Sequence, residues 1–197
     1  MKRVLSLFDG ISCARVAFGD CEYYSSEIDK YAIQVSTKNF PNIIRLGDVT
    51  QVQPMSDLFL LIGGSPCQDL SIAKKGRQGL QGVRSGLFYE YVRILRESKP
   101  KYFILENVAS MSKESRDEIT KEMGVEPIMI NASLVSAQSR KRLFWTNIPV
   151  VGLPKDKGIL LKDILQDDAE ILTTTTDGKS FCIDANYFKG SSAKHSA

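Results

Sequence analysis

Cys67 follows an apolar run, Leu58–Ile62, that stops at Gly63 and Gly64 and then presents Ser65-Pro66-Cys67. A buried strand ending in this way delivers one side chain to the rim of a sheet. Cysteine is the strongest neutral-pH nucleophile among side chains because some thiolate exists at pH 7. Covalent catalysis is therefore one reading, and a small buried thiol, the usual fate of a free cysteine, is the other. Glu106-Asn107-Val108 follows a second apolar run, Tyr102–Leu105. Partial burial would raise the pKa of Glu106 and favour its protonated form, which could donate to a ring nitrogen or act as general acid. A carboxylate capping a helix that begins near Ser110 is the alternative. Arg140 and Arg142 alternate in Gln138-Ser-Arg-Lys-Arg142. On a strand they would share one side, a geometry suited to phosphate or to a base oxygen, whereas a solvated edge strand would carry the same charges for solubility.

Behind Cys67 runs a segment punctuated by Gly76, Gly79, Gly82 and Gly86, which carries Ser71, Lys74, Lys75, Arg77 and Arg84. Four glycines among four cations resemble a mobile loop that closes on a polyanion; a flexible surface loop is the common alternative. A Cys–His hydrolase would need a histidine base. The one histidine, His195, lies two residues from the end of the sequence in a polar tail, which disfavours that chemistry.

These groups need elements to position them. Short apolar runs at Val4–Phe8, Tyr23–Ser26, Ile43–Leu46, Leu58–Ile62, Tyr102–Leu105, Ile128–Leu134 and Leu143–Thr146 alternate with helix-like stretches at Cys13–Phe18, Lys30–Asn39, Leu87–Arg96 and Ser115–Met123. Such alternation predicts an α/β fold, a mostly parallel sheet covered on both faces, with one antiparallel strand among the last two. Asp9, Glu27, Asp48, Cys67 and Glu106-Asn107 each close a strand. The carboxyl ends of an open parallel sheet share one edge, where ligands bind, so these residues should converge on a site. Charged residues marking strand ends near solvent would explain any one of them alone. Gly10 permits a tight turn and close approach of a ligand, and Glu27 stands where nucleotide-binding folds place the acid that grips ribose hydroxyls. The full G-x-G-x-x-G pattern is missing, so a nucleoside without a pyrophosphate fits better. Asp48 could accept from an exocyclic amine. Together these point to an adenosine-containing cofactor.

The 197 residues, 43% hydrophobic and 25% charged, describe an ordinary globular chain of one domain or one domain with an appendage. A net charge of +3 is weak support for an anionic partner. Cys13, Cys21, Cys67 and Cys182 show no C-x-x-C spacing, so neither a zinc site nor a redox dithiol is expected, and the thiols read as reduced in a cytosol-like compartment. No signal peptide and no apolar run of membrane-spanning length is evident.

In order, Phe8-Asp9-Gly10, Glu27, Gly47-Asp48-Val49, Gly64-Ser65-Pro66-Cys67, Glu106-Asn107-Val108 and Gln138-x-Arg140-x-Arg142 resemble the motif blocks of the DNA cytosine-5 methyltransferases, over roughly residues 3–147 and more faintly to about 190. The variant Pro-Cys-Gln-Asp-Leu-Ser looks most like the animal de novo branch and its short prokaryotic or phage relatives. The resemblance implies a Rossmann-like S-adenosylmethionine-dependent methyltransferase fold in a prokaryotic or phage-infected cytoplasm. Phe8, Asp9, Gly10, Glu27, Ile28, Asp48, Val49 and Pro66 would bind S-adenosylmethionine, with Glu27 on the ribose, Asp48 on the adenine amine and Ile28 stacked on adenine. Cys67 would attack C6 of a cytosine flipped out of double-stranded DNA. Glu106 would contact N3 and the exocyclic amine, Arg140 and Arg142 would orient the base, and the loop with Ser71, Lys74, Lys75, Arg77 and Arg84 would close over it. No metal is implied.

Two departures from the family pattern stand out. A further glycine usual near Cys13 or Ala14 is absent, and the recognition region and the final Gly-Asn block that completes the cofactor pocket are missing. The expected organisation is a catalytic domain at 1–150, the start of an incomplete target-recognition region at 151–190, and a disordered tail at 191–197. Such a chain would be the catalytic half of a split enzyme whose partner chain supplies the missing blocks, a truncated gene, or an inactive DNA-binding or regulatory paralogue.

Overall fold

The computed structural model describes residues 1–66, 85–169 and 174–182. Among these residues, seven strands form one sheet in the order β3-β2-β1-β4-β5-β7-β6. They are β1 (Lys2–Leu7), β2 (Cys21–Ser26), β3 (Ile44–Arg45), β4 (Leu58–Gly63), β5 (Tyr102–Val108), β6 (Ile128–Asn131) and β7 (Lys141–Thr146). The pairs β1–β2, β1–β4, β2–β3 and β4–β5 are parallel, and β7 runs antiparallel to β5. The expected antiparallel strand is thus present, inserted between β5 and β6. Ile128–Leu134 is a strand only to Asn131; Ala132–Leu134 forms a 3-10 turn. A 3-10 turn at Cys13–Ala17 likewise stands where a helix was expected.

The α-helices among the described residues are α1 (Lys30–Asn39), α2 (Phe88–Ser98) and α3 (Lys113–Met123). Asp29 caps α1, accepting from the backbone N–H groups of Tyr31 and Ala32 at 2.9 and 2.8 Å. Ser112 caps α3 through the N–H of Ser115, and Gly124 closes it in the left-handed region at φ +69°. Glu106 is therefore not the cap of the helix that follows it.

Alternation of side chains along the central strands builds two cores. On one face Leu5, Leu7, Leu61 and Leu105 pack with Phe88, Tyr91 and Ile94 of α2, with Ile119 of α3, and with Trp145. On the other, Val4, Tyr23, Ile43 and Leu60 pack with Phe18, Phe40 and Ile104. A central parallel strand buried on both faces needs this near-continuous apolar sequence. Trp145 is fully buried, and its indole N–H donates to Thr120 Oγ1 at 3.0 Å, which fixes α3 against β7. The result is an α/β architecture, a mostly parallel sheet packed with helices, as the alternating pattern of the sequence predicts.

Chain contacts divide the protein into two compact units. The first holds residues 1–129 and 142–150, and the second holds 130–141 and the described residues from 151 onward. The segment 130–141 thus groups with the residues after 150. No helix among the described residues is long and apolar enough to cross a membrane.

Candidate functional site

The parallel register aligns the strand ends of the first unit. Leu7 pairs with Ser26 on one side and Gly63 on the other, and Gly63 pairs with Leu105. The next residue on each strand is Phe8, Glu27, Gly64 and Glu106. Four of the residues marked by the sequence motifs therefore follow one row across the carboxyl edge, at the point where successive strands turn outward in opposite directions from β1.

The β1 end is a strained turn. Phe8, Gly10 and Ser12 all have positive φ, at 57°, 57° and 63°, and for residues other than glycine this conformation costs about 1–2 kcal/mol. Asp9 holds the turn from within: Tyr23 Oη donates to Asp9 Oδ1 at 2.8 Å, and Ser12 Oγ donates to Oδ2. Burial, helped by the Asp9 carboxylate and opposed by Ser6, pushes the Tyr23 phenol far above its usual value, so it remains a donor. Both Asp9 oxygens thus serve the turn itself.

Glu27 gathers three backbone donors. Gly10 N–H donates to Oε2 at 2.7 Å, and Ile28 and Asp29 N–H donate to Oε1 at 2.8 Å each. The carboxylate therefore links the ends of β1 and β2. Beside it, the Ile28 side chain is 71% exposed, an apolar surface without protein cover. A Cβ on Gly10 would meet no atom within 4 Å, so open space lies against this backbone. Asp48 accepts from Thr50 N and Thr50 Oγ1 at 2.9 Å each, both on Oδ1. These bonds, the backbone one foremost, hold its carboxyl below the usual value. The Val49 side chain is in the core, which leaves only its backbone for a ligand. An exposed apolar face, two carboxylates and open space at a glycine fit an adenosine-containing cofactor. The first turn, lacking a further glycine near Cys13, is a 3-10 turn.

On the other side of β1 lies the second cluster. Glu106 Oε1 is 2.6 Å from Arg142 Nε. A Cβ on Gly64 would stand 2.8 Å from Glu106 Oε2, so only glycine at 64 lets the carboxylate lie over the β4 end. Sequence reasoning marked Asn107 only as a polar residue at a strand end and gave Ser65 no role of its own. Asn107 Nδ2 donates to Ser65 Oγ at 3.1 Å and to Ser65 O at 3.4 Å, with both residues buried. This pair pins the backbone that leads through Pro66 into position 67. The signal was the Asn inside Glu-Asn-Val, a polar residue at a strand position destined for burial.

Cys67, Ser71, Lys74, Lys75, Arg77 and Arg84 lie outside the described residues, as do 183–197. The two arginines are not a strand pair. Arg142 lies in β7, an interior strand rather than a solvated edge. Arg140 precedes the strand, in the second unit, because its backbone N–H donates to Asn131 Oδ1 at 2.8 Å and its carbonyl accepts from Ala132 at 3.0 Å. Those bonds fold the chain back into a loop. Its guanidinium Nη1 is 3.0 Å from Cys182 Sγ. Among the described residues no three His, Cys, Asp or Glu side chains gather as a metal site requires.

Known proteins resemble this chain in sequence and in fold. A sequence model of the C-5 cytosine-specific DNA methylases matches residues 2–177. The orphan methyltransferase M.SPRI of Bacillus phage SPR is 32% identical over 91% of this chain and 45% of its own length. The type II methyltransferase M.NlaIV of Neisseria lactamica is 31% identical over 88% of this chain and 44% of its own. The chain thus spans less than half the length of these relatives. A solved structure described as a DNA modification methyltransferase encoded within an E. coli prophage superposes with a TM-score of 0.56 at 24% identity, over 74% of this chain and 46% of that one, a likeness of fold. With a family match along residues 2–177, and with four of the motif residues in one row at a sheet edge, this chain belongs to the C-5 cytosine-specific DNA methylase family.

Proposed function

We propose that this chain carries the catalytic half of a DNA cytosine-5 methyltransferase that uses S-adenosylmethionine. The observation that carries the reading is the row Phe8–Glu27–Gly64–Glu106, with Arg142 on Glu106. One edge thus offers a nucleoside slot at β1–β3 and an acid–guanidinium pair beside the segment leading to Cys67.

The cofactor would lie against Gly10, with Ile28 on the adenine, Glu27 at the ribose and Asp48 at the adenine amine; Asp9 positions the turn, and Pro66 borders the slot. When bound, the cofactor supplies an electrophilic methyl group. The Cys67 thiolate adds to C6 of an extruded cytosine, and electron density moves to C5. Glu106 contacts N3 and the exocyclic amine as charge builds on the ring, a preorganised stabilisation that favours the added species. Arg142 holds Glu106 in place, and Arg140 contacts the nucleotide. Once C5 has taken the methyl group, loss of its proton returns electrons to the ring and expels the thiolate. Ser71, Lys74, Lys75, Arg77 and Arg84 close on the DNA backbone, since the target atom is inaccessible within the duplex.

Residues 151–190 begin the target-recognition region. The remaining half that the relatives possess, joined to this chain or supplied as a second one, completes the cofactor pocket. The bacterial and phage relatives favour action in a bacterial cytoplasm.

Incubation with duplex DNA containing 5-fluorocytosine and S-adenosylmethionine tests the reading, with and without the missing half. A covalent adduct that Cys67→Ala abolishes is expected. If no adduct forms in either arm, the chain is a DNA-binding or regulatory paralogue.

A further inference from the structure

Lys179 is 3% exposed, rare for a residue type that is almost never fully buried without a partner. Its Nζ donates to the carbonyl of Ser133 at 2.9 Å, to that of Ser136 at 3.3 Å, and to that of Ile159. An ammonium has three hydrogens, and here each has a backbone carbonyl. Those carbonyls belong to two stretches of the second unit, the turn just before Gln138 and the stretch near 159, and an inward-facing carbonyl left without a donor is costly. The lysine itself is fixed. Thr175 Oγ1 accepts from the Lys179 N–H at 3.1 Å and donates to the Asp177 carboxylate, and the Thr175 N–H donates to the Lys179 carbonyl at 2.9 Å.

The next residue grips the arginine motif directly. Ser180 N–H donates to Ala137 O at 2.7 Å, and its carbonyl accepts from Ser139 N–H at 2.9 Å, one bond on each side of Gln138. Two residues further, Cys182 Sγ meets the Arg140 guanidinium. Lys179 is therefore the anchor of a clamp that fixes Gln138–Arg140 at both main chain and side chain.

We infer that Lys179 is a positioning residue for Arg140, setting the conformation in which that guanidinium meets DNA. The inference rests on the methyltransferase reading above. The test uses the full chain with Lys179→Met, which keeps length and loses the donors, and Thr175→Val, a milder break in the same clamp. Two measurements are made: amide hydrogen exchange, and affinity for a fluorescent duplex in the presence of S-adenosylhomocysteine. In both variants the Ser139 and Ser180 amides should exchange about tenfold faster or more, while those of β1 and β4 keep their protection. DNA affinity should fall about fivefold to tenfold with Lys179→Met, and by no further amount when that change is added to Arg140→Ala, since residues acting as one unit are non-additive.

Unchanged exchange at 137–140 in Lys179→Met overturns the inference. So do DNA-affinity losses that add in the double variant, because a merely structural lysine would act independently of Arg140. Loss of protection in β1 and β4 of Lys179→Met passes the decision to Thr175→Val, judged by the same criteria. If Arg140→Ala leaves DNA affinity untouched, the functional premise is overturned; faster exchange at 137–140 then identifies the DNA reading, rather than the clamp, as what failed.

Discussion

Arg142 and Glu106 meet diagonally across β5 and β7, with Nε and Oε1 2.6 Å apart. Val108 stands opposite Arg142, and Glu106, two residues away, shares that face. Diagonal pairs of this kind lie within reach of long side chains. An arginine here both neutralises and orients the acid, so substitution at either residue should act on the chemistry through the other. Glu106→Gln keeps the shape and removes the charge. Adduct formation on 5-fluorocytosine DNA should fall about 100-fold to 1,000-fold, with S-adenosylhomocysteine affinity unchanged by calorimetry. Equal adduct yield would remove Glu106 from the reaction.

Gly64 offers a steric route to the same group. A methyl group there would stand 2.8 Å from Glu106 Oε2, so Gly64→Ala shifts the carboxylate from the position in which its other oxygen meets Arg142. The expected outcome is a loss of adduct formation comparable to that of Glu106→Gln. Gly63→Ala would instead meet Leu7 O at 2.9 Å and the Tyr91 ring at 3.1 Å. Overpacking of that kind costs about 1–3 kcal/mol of stability, so denaturant unfolding separates the two glycines.

Glu27 binds three backbone N–H groups at 2.7–2.8 Å, and an ionised acceptor makes stronger bonds than a neutral amide. Glu27→Gln should loosen the link between the β1 and β2 ends and weaken S-adenosylhomocysteine binding about tenfold to 100-fold. Fluorescence titration would show it, and unaltered binding would place the cofactor elsewhere.

Asp48 is held below its ordinary carboxyl value by Thr50. A depressed folded-state pKa means that the bonded loop is intact above the unfolded value and is lost as pH falls through the folded one. Cofactor affinity should therefore be independent of this group above about pH 5 and decline only under stronger acid. Thr50→Val, which removes one of the two donors, should move the Asp48 titration seen by NMR upward.

Tyr23 donates to Asp9 inside the strained β1 turn. Tyr23→Phe removes the donor and should destabilise the chain by about 1–2 kcal/mol. Because burial raises the phenol pKa, its stabilising contribution is complete below the unfolded value near 10 and lost only as pH climbs above it. Absorbance of tyrosinate should therefore appear for Tyr23 only on alkaline unfolding.

Much of this protein was fixed along the chain. Apolar runs of strand length between amphipathic stretches require a sheet with covered faces, and Lys30–Asn39 forms a helix with the bounds that its pattern indicates. Asp9, Glu27 and Asp48 follow the ends of their strands on one edge because parallel strands joined by crossovers end on the same side. Glu106-Asn107, expected to close β5, instead lies just past the last β4–β5 pair, inside a strand that continues to Val108. Side-chain direction across non-local contacts was not written in any local pattern. Arg140 and Arg142 alternate in sequence, yet Asn131 and Ala132 bend the backbone before β7, and the two arginines take different partners. Lys179 sits in a polar stretch and becomes buried because carbonyls from residues 20 to 46 positions away point at it. Sequence periodicity records which face of an element is apolar. It does not record which distant carbonyl lacks a donor, and only the folded chain decides that.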